Sequence, residues 1–155
     1  MSDVLANTDF PEDTNIGLIQ FATTQQLEIQ LGQFGNDTSR VEDHIAEMKK
    51  LGGETFTQNA LLYTLLMMWS NSEDGRSRVT VLFTDGTPNP YPEQDPCVLY
   101  EEFNRLEIDI YVVGIGEEIR NAIGTVDCLT LDPTHVLVID DFLSNSGSIL
   151  EVTID

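Results

Sequence analysis

Two short, nearly continuous apolar segments limit what this chain can fold into. Val79–Phe83 and Ile108–Ile115 are rich in branched residues, and each is followed at once by a polar or glycine-containing turn. Strands of this composition are buried on both faces, as in a parallel sheet that is covered by helices. Helical patterns lie between them, so the chain is predicted to form an α/β, three-layer domain with a mainly parallel sheet.

The rest of the chain continues this alternation of strands and helices. Further strands are predicted at Asn15–Thr23, Gln26–Leu31 and Val136–Ile139, and further helices at roughly Val98–Leu106, Glu117–Ile123 and Phe142–Val152. Only a short polar segment separates the first two of these strands, so we expect them to pair as an antiparallel hairpin. This hairpin would place one antiparallel strand at the edge of the sheet.

Two more helices are predicted between the hairpin and the first apolar segment. Ser39 is a suitable N-cap for the earlier helix, with Glu42 completing a capping box, and Gly52-Gly53 is expected to end it. The later helix begins after Thr57. It has apolar residues around much of its circumference, so we expect it to be largely buried.

The chain is strongly acidic. Its 155 residues suit one domain, and 27 acidic against 7 basic residues give a formal net charge of −20. This charge repels phosphate backbones and anionic lipids, so nucleic-acid binding and membrane insertion are disfavoured. No apolar segment is long enough to span a bilayer, and the amino terminus lacks a signal-peptide pattern. Most acids, including Glu101-Glu102 and Glu117-Glu118, are expected to form a solvated surface coat.

Asp85 directly follows the first apolar strand, at the end of the sheet where parallel α/β domains bind ligands. An aspartate there is either a ligand or nucleophile, or a residue that only caps the turn. The string Phe83-Thr84-Asp85-Gly86-Thr87 is similar to the Asp-x-Asp-Gly-Thr motif of haloacid-dehalogenase-type phosphatases. Phe83 occupies the position of their nucleophilic aspartate and cannot attack phosphorus, so this enzymatic function is rejected.

A second resemblance covers most of the chain. Five segments match, in order, the strand V-G-L-V-Q-F, the stretch GG-x-T-x-T-x-x-A-L, the strand end V-x-V-x-x-T-D-G, the strand V-Y-V-V-G-I-G and the stretch V-x-D-F of von Willebrand factor type A domains. The matching segments are Ile16–Phe21, Gly52–Leu61, Val79–Gly86, Ile110–Gly116 and Val138–Phe142. The chain therefore resembles this family over most of its length.

The resemblance implies a Rossmann-like fold with a metal-ion-dependent adhesion site. There a divalent cation, Mg²⁺ or alternatively Ca²⁺ or Mn²⁺, accepts a carboxylate from a protein partner. The family's ligands are an Asp-x-Ser-x-Ser loop, a threonine and an aspartate; by motif position Thr55 matches the threonine and Asp85 the aspartate. Such hard oxygen donors suit Mg²⁺. Thr57 is expected to be a helix N-cap rather than a direct ligand. The implied function is a non-catalytic adhesion or protein-binding module.

The family's Asp-x-Ser-x-Ser motif and its first strand, the central one of the sheet, have no counterpart in this sequence. Val4–Pro11 already resembles the end of the helix after that strand, so residues 1–155 are interpreted as a single type A domain, incomplete at its amino terminus. The missing central strand would leave Asn15–Thr23 and Val79–Phe83 with unpaired edges. Either the sequence is truncated, which we favour, or another chain supplies the strand. The metal site would keep at most the two ligands named above.

Cys97 and Cys128 are 31 positions apart, a spacing that fits no metal finger, and the residues alone leave a disulfide and two free thiols equally open. In a type A fold both fall toward one end of the sheet, so the resemblance makes a disulfide feasible. We expect an extracellular or cell-surface domain of a larger protein. The alternatives are an intracellular scaffold domain of an ATPase or chelatase-like assembly, favoured by free thiols, and a degenerate type A domain without metal.

Overall fold

The computed structural model describes residues 12–70, 75–89 and 94–140. The predicted helix at Phe142–Val152 and the segment Val4–Pro11 lie outside these ranges. Within them, five strands and four α-helices follow one another in the predicted order. No helix in these ranges is long and apolar enough to cross a membrane.

The two strands nearest the amino terminus pair as the predicted antiparallel hairpin. Strand β1 covers Leu18–Phe21 and β2 covers Gln25–Ile29. Both are shorter than predicted, because the chain turns between them, where the Ala22 N–H donates to the Thr24 carbonyl at 2.9 Å. Ile29, the last residue of β2, is fully buried and anchors the hairpin in the core.

Helix α1 covers Thr38–Glu47, and both of its ends differ from the prediction. Asp37, not Ser39, is the N-cap, because its carboxylate accepts the Arg40 N–H at 3.2 Å. Aspartate and serine are comparably good caps, so capping strength alone does not decide between the two positions. It ends before the two glycines, because Met48 takes an extended conformation.

Helix α2 covers Thr57–Ser70, so it begins one residue earlier than predicted, and it is only half buried. Ala60, Leu61 and Leu65 face the core. The opposite side exposes four large apolar residues, Leu62, Tyr63, Leu66 and Trp69. The expectation of a largely buried helix is therefore wrong, because the packing of neighbouring elements, and not the apolar composition alone, decides which sides of a helix are covered.

Strands β3 (Arg78–Thr84), β4 (Ile108–Ile115) and β5 (Val136–Ile139) form the predicted parallel sheet, in the order β3-β4-β5. Their bounds agree with the predicted ones to within one residue. The register pairs Thr84 with Gly114, and the last residue of β5 with the last residue of β4. The carboxyl ends of all three strands therefore lie at the same end of the sheet.

The core lies between one face of this sheet and the helices packed on it. Helix α3 (Tyr100–Arg105) follows a 3₁₀ turn at Pro96–Leu99, and the short helix α4 (Glu117–Asn121) follows β4. The buried core of the sheet and these helices includes Leu61, Leu65, Leu82, Leu99, Phe103, Ile108, Ile110, Val112, Ile119, Val126 and Leu129. The alternation of short strands and helices thus produces the expected α/β packing.

A disulfide joins Cys97 to Cys128, whose Cα atoms are 5.4 Å apart. Cys97 lies in the 3₁₀ turn before α3, and Cys128 lies in a second 3₁₀ turn at Asp127–Leu129. The bond therefore ties together the two segments that flank α3, β4 and α4. It decides between the two alternatives that the sequence left open.

The strands belong to two separate sheets within the described part of the chain, β1-β2 and β3-β4-β5. The sequence predicts a missing strand between β1 and β3, and among the described residues these two strands belong to different sheets. Helix α2 contacts both sheets: a Cβ on Gly17 would lie 3.1 Å from the Met67 methyl carbon, and the Thr80 hydroxyl lies 3.8 Å from the Met68 sulfur. The helix therefore holds the hairpin next to the parallel sheet.

Candidate metal centre

Three loops meet at the edge of the sheet where the parallel strands end. They are the loop before α2, which contains Thr55, the segment Asp85–Asn89 after β3, and Gly116–Glu118 after β4. The Asn89 N–H donates to the Thr55 carbonyl at 2.9 Å and joins the first two loops. Strands β3 and β4 pair side by side in parallel, so the segments that follow them also lie next to each other. Open α/β sheets bind ligands at this end of the sheet, beyond the carboxyl ends of the strands.

Thr55 lies against the turn that contains Asp85. A Cβ placed on Gly86, the residue after Asp85, would be 3.3 Å from the Thr55 hydroxyl oxygen. The buried Thr84 hydroxyl donates to the Gly86 carbonyl at 2.9 Å and fixes the turn. Asp85 itself is exposed. The structure thus brings together the two residues that the sequence selects as candidate ligands.

The loop that carries Thr55 is held from both sides. Thr23 Oγ1 accepts the Glu54 N–H at 2.8 Å, and the Glu54 carboxylate accepts the Asn89 side-chain amide at 2.5 Å. Gly53 has a φ of +121°, a conformation that side chains rarely adopt. This glycine lets the loop pack directly on the hairpin turn, which sets the height of the Thr55 hydroxyl above the sheet.

Glu118 is a residue of this site that the sequence analysis assigned only to the solvated coat. It is exposed, but its Oε1 atom accepts two hydrogen bonds from Thr87, one from the N–H at 3.2 Å and one from the hydroxyl at 3.0 Å. The two residues are 31 positions apart, so no local pattern indicates their contact. The contact between Glu118 and Thr87 could have been predicted only from the pairing of β3 with β4.

Thr57 does not act as the predicted N-cap. It is the first residue of α2 and is fully buried, and its hydroxyl oxygen has no hydrogen-bond partner in the described part of the chain. Buried polar groups without partners are rare in folded proteins. Thr57 is only two residues from Thr55. A water bound to a cation near Thr55 would supply the hydrogen bond that the Thr57 hydroxyl lacks, so this hydroxyl is compatible with a hydrated cation.

The donor atoms of this cluster also fit a divalent cation. A threonine hydroxyl and carboxylates are the hard oxygen ligands that Mg²⁺, Ca²⁺ and Mn²⁺ prefer. Among residues 12–70, 75–89 and 94–140, no three His, Cys, Asp or Glu side chains are arranged to hold a metal ion. A cation at this edge would therefore depend on hydroxyl, water or additional oxygen ligands beside the carboxylates.

A second, shallow cavity of about 190 Å³ opens near the amino end of β4. Its rim includes Tyr100, Asp109 and Asp132, together with His135, whose ring stacks on Tyr111 at a centroid distance of 4.0 Å. The cavity lies away from the carboxyl ends of the strands. Its polar residues contact one another, since His135 lies 3.5 Å from the Thr130 hydroxyl and 3.8 Å from the Asp132 carboxylate.

The profile of the von Willebrand factor type A domain matches residues 1–151. Curated relatives include the collagen alpha-1(XXI) chain of Xenopus laevis, 26% identical over 138 residues, and matrilin-2 of Mus musculus, 27% identical over 149 residues. These alignments cover 88% and 90% of this chain. They cover 14% and 15% of the two relatives, so the chain spans a small part of their length.

A solved structure of similar fold is proximal thread matrix protein 1 from the mussel byssus, with zinc in its MIDAS motif, the metal-ion-dependent adhesion site. The TM-score is 0.70 with 14% sequence identity, and the alignment covers 94% of this chain and 38% of that chain. At this identity the likeness shows the fold alone. The collagen and matrilin relatives are extracellular proteins, and together with the disulfide they confirm the expected extracellular location.

Proposed function

This chain belongs to the von Willebrand factor type A family, and from that premise we propose that it is a non-catalytic module that binds a partner protein through a divalent cation. Thr55 and Asp85 would hold the cation, Mg²⁺ in the first instance, with Ca²⁺ and Mn²⁺ as alternatives. When bound, the cation supplies an electrophilic position that accepts a carboxylate of the partner.

The observation that carries this proposal is the position of the Thr55 hydroxyl beside the Asp85–Gly86 turn. The two residues come from different loops, and hydrogen bonds through Asn89 and Thr84 hold those loops in place. The Asp85 carboxylate makes no hydrogen bond or ion pair with other described residues, so it is available to bind a cation. A hydroxyl held beside a turn that carries an exposed carboxylate, at the ligand-binding end of the sheet, supports a cation site.

The charge of the chain explains why a cation would be needed for this kind of partner. With a net charge of −20, the surface repels acidic proteins. A divalent ion held at this site would concentrate positive charge at one point of the surface, so it would attract a carboxylate that the rest of the protein repels. Binding of an acidic partner is therefore expected to disappear when the cation is removed by a chelator.

The divided sheet supports a second role, the acceptance of a further strand between β1 and β3. In the described part of the chain, each of these strands forms a ladder on one side only. An extended segment could pair with such edges through main-chain hydrogen bonds, whether it comes from upstream sequence or from another chain. In the resembled family the Asp-x-Ser-x-Ser loop follows that strand, so the same segment would complete the ligand set.

The disulfide weighs against the intracellular scaffold alternative, because such bonds persist in oxidising compartments. The other alternative, a degenerate type A domain that binds no metal, is distinguished from the proposed function by measuring metal binding. The test is a titration of the 155-residue chain with Mg²⁺, in which binding is measured by calorimetry and by changes in the amide NMR signals. With an incomplete ligand set we expect a dissociation constant of about 1 mM, and Asp85→Asn should weaken binding about tenfold.

Asp109→Asn is the matched control, since it removes the same charge from an exposed residue at the other end of β4. It should change the dissociation constant by less than about twofold, because a distant surface charge is largely screened. Absence of a saturable response to Mg²⁺, or equal effects of the two substitutions, would overturn the proposal. Submicromolar binding that depends on Asp85 would instead show that the ligand set is already complete.

A further inference from the structure

We infer that Glu118 is a further cation ligand of the Thr55–Asp85 site and supplies its second carboxylate, an inference that rests on the proposed function. Glu118 lies in the first turn of the short helix α4, beyond the Ile110–Gly116 segment that matches the family's strand. No motif of the sequence assigns it a role. Its contacts alone place it at the site.

The position of Glu118 is fixed by the loop that carries Asp85. Its Oε1 atom lies 3.5 Å from the point that a Cβ on Gly86 would occupy, and the Thr55 hydroxyl lies 3.3 Å from the same point. Both oxygens therefore border Gly86, the residue that follows Asp85. The Thr55 hydroxyl and the Glu118 carboxylate thus lie against the same short turn that carries Asp85.

The carboxylate of Glu118 has one oxygen left for a cation. Oε1 accepts both hydrogen bonds from Thr87, and within the described residues Oε2 accepts none. The bonds to Oε1 hold the carboxylate in place, as outer hydrogen bonds commonly do for ligating carboxylates. With Asp85, Glu118 would give the cation two carboxylate ligands, and the remaining positions of the ion would be open to water or to a partner carboxylate.

The neighbouring acids differ from Glu118 in this respect. The Oε2 atom of Glu54 accepts the Asn89 amide, so that carboxylate serves to hold the loop. Glu117 is exposed, and its side chain makes no hydrogen bond or ion pair with other described residues. Glu117 and Glu118 are adjacent and carry the same charge, so they form a natural pair for an experiment.

The experiment compares Glu118→Gln with Glu117→Gln in the full 155-residue chain, with Mg²⁺ and Mn²⁺ as probes. Glutamine keeps an Oε1 oxygen that accepts both Thr87 bonds, so Glu118→Gln removes the charge and leaves the loop contact intact. We expect Glu118→Gln to weaken Mg²⁺ binding about tenfold and Glu117→Gln to change it less than about twofold. Mn²⁺ should broaden the amide signals of Thr55, Gly86 and Glu118 in the unmodified chain.

Three outcomes separate this inference from the proposed function. If the unmodified chain shows no saturable response to either ion, the proposed function fails and this inference fails with it. If Asp85→Asn weakens binding but the two glutamine variants behave alike, the cation site stands and the role of Glu118 is refuted. Thr87→Val removes the hydroxyl bond to Glu118 but keeps the backbone N–H bond and the charge; if it weakens binding while Glu118→Gln does not, Glu118 only positions the loop and is not a ligand.

Discussion

Gly53 packs against Thr23 with no space between them for a side chain. A Cβ on Gly53 would overlap the Thr23 hydroxyl, which already accepts the Glu54 N–H at 2.8 Å. The φ of +121° at Gly53 adds a conformational cost for any other residue. We expect Gly53→Ala to lower the free energy of unfolding by about 2 kcal/mol, measured by urea denaturation.

Gly52 is the control for that substitution. It has no positive φ, and nothing lies within 4 Å of a Cβ built on it. Gly52→Ala should therefore be neutral or stabilise the fold by up to about 1 kcal/mol through the unfolded state. Similar losses at both positions would mean that the contact with Thr23 does not constrain the loop.

The start of helix α1 gives a second prediction. The Asp37 carboxylate accepts the Arg40 N–H, so Asp37→Ala should lower the free energy of unfolding by about 1 kcal/mol. Ser39→Ala should change it by less than about 0.5 kcal/mol, because Ser39 lies inside the helix and is exposed. Urea denaturation of both variants provides the measurement, and a larger loss at Ser39 would contradict the observed cap.

Leu65 and Leu66 test the half-buried character of helix α2. Leu65 is 9% exposed and belongs to the core, whereas its neighbour Leu66 is 68% exposed. Leu65→Ala should lower the free energy of unfolding by about 3 kcal/mol, and Leu66→Ala by less than about 0.5 kcal/mol. Comparable losses in denaturant titrations would show that the second side of the helix is also covered.

Removal of the disulfide should destabilise the domain markedly. For a closed loop of this length, loss of the cross-link between Cys97 and Cys128 is expected to cost about 3 to 4 kcal/mol. The double variant Cys97→Ala with Cys128→Ala should therefore unfold at lower guanidinium concentration than the parent chain. Adding a reductant should lower the midpoint of the parent and leave that of the double variant unchanged; an equal response would contradict the assignment.

Asp132 supplies a prediction about pH. The Thr134 hydroxyl and N–H donate to its carboxylate at 2.7 and 2.8 Å and hold the pKa of Asp132 below its ordinary value of 3.8, with a smaller contribution from His135. Because the pKa is lower in the folded state, the stabilisation is complete above about pH 4 and is lost as the pH falls through the folded pKa. Thr134→Val should raise that pKa toward the ordinary value.

The carboxyl carbon of Asp132, followed by NMR titration, reports this shift directly. Thr134→Ser keeps a hydroxyl donor and should restore the low pKa of Asp132. An unchanged pKa in the valine variant would mean that the backbone N–H alone accounts for the shift.

The parallel sheet could be predicted closely from the sequence, and the helix boundaries less so. Val79–Phe83 and Ile108–Ile115 are apolar on both faces, a pattern with few interpretations, and their observed bounds differ by at most one residue. The cap of α1 was misplaced because Asp37 and Ser39 have similar capping strength. For α2, the sequence shows which residues are apolar but not which neighbours are available to cover them.

The candidate site was predictable only where it follows a motif. Thr55 and Asp85 stand at positions that a local pattern marks, and the fold brings them to one edge of the sheet. Glu118 has no such pattern, because its contact with Thr87 depends on two strands that are distant in the chain and adjacent in space. Thr57 was expected to cap its helix, but it lies one residue inside the helix with its hydroxyl unsatisfied.

The bond between Cys97 and Cys128 also determines what a protease can do to this domain. Arg105 and Arg120 are both solvent-exposed and both lie inside the ring that the bond closes. Cleavage after either arginine would open the ring without releasing a fragment, so β3 and β5 would stay covalently linked through the sulfur atoms. A nicked molecule would therefore keep its parts together until it met a reductant, which suits a domain that functions outside the cell.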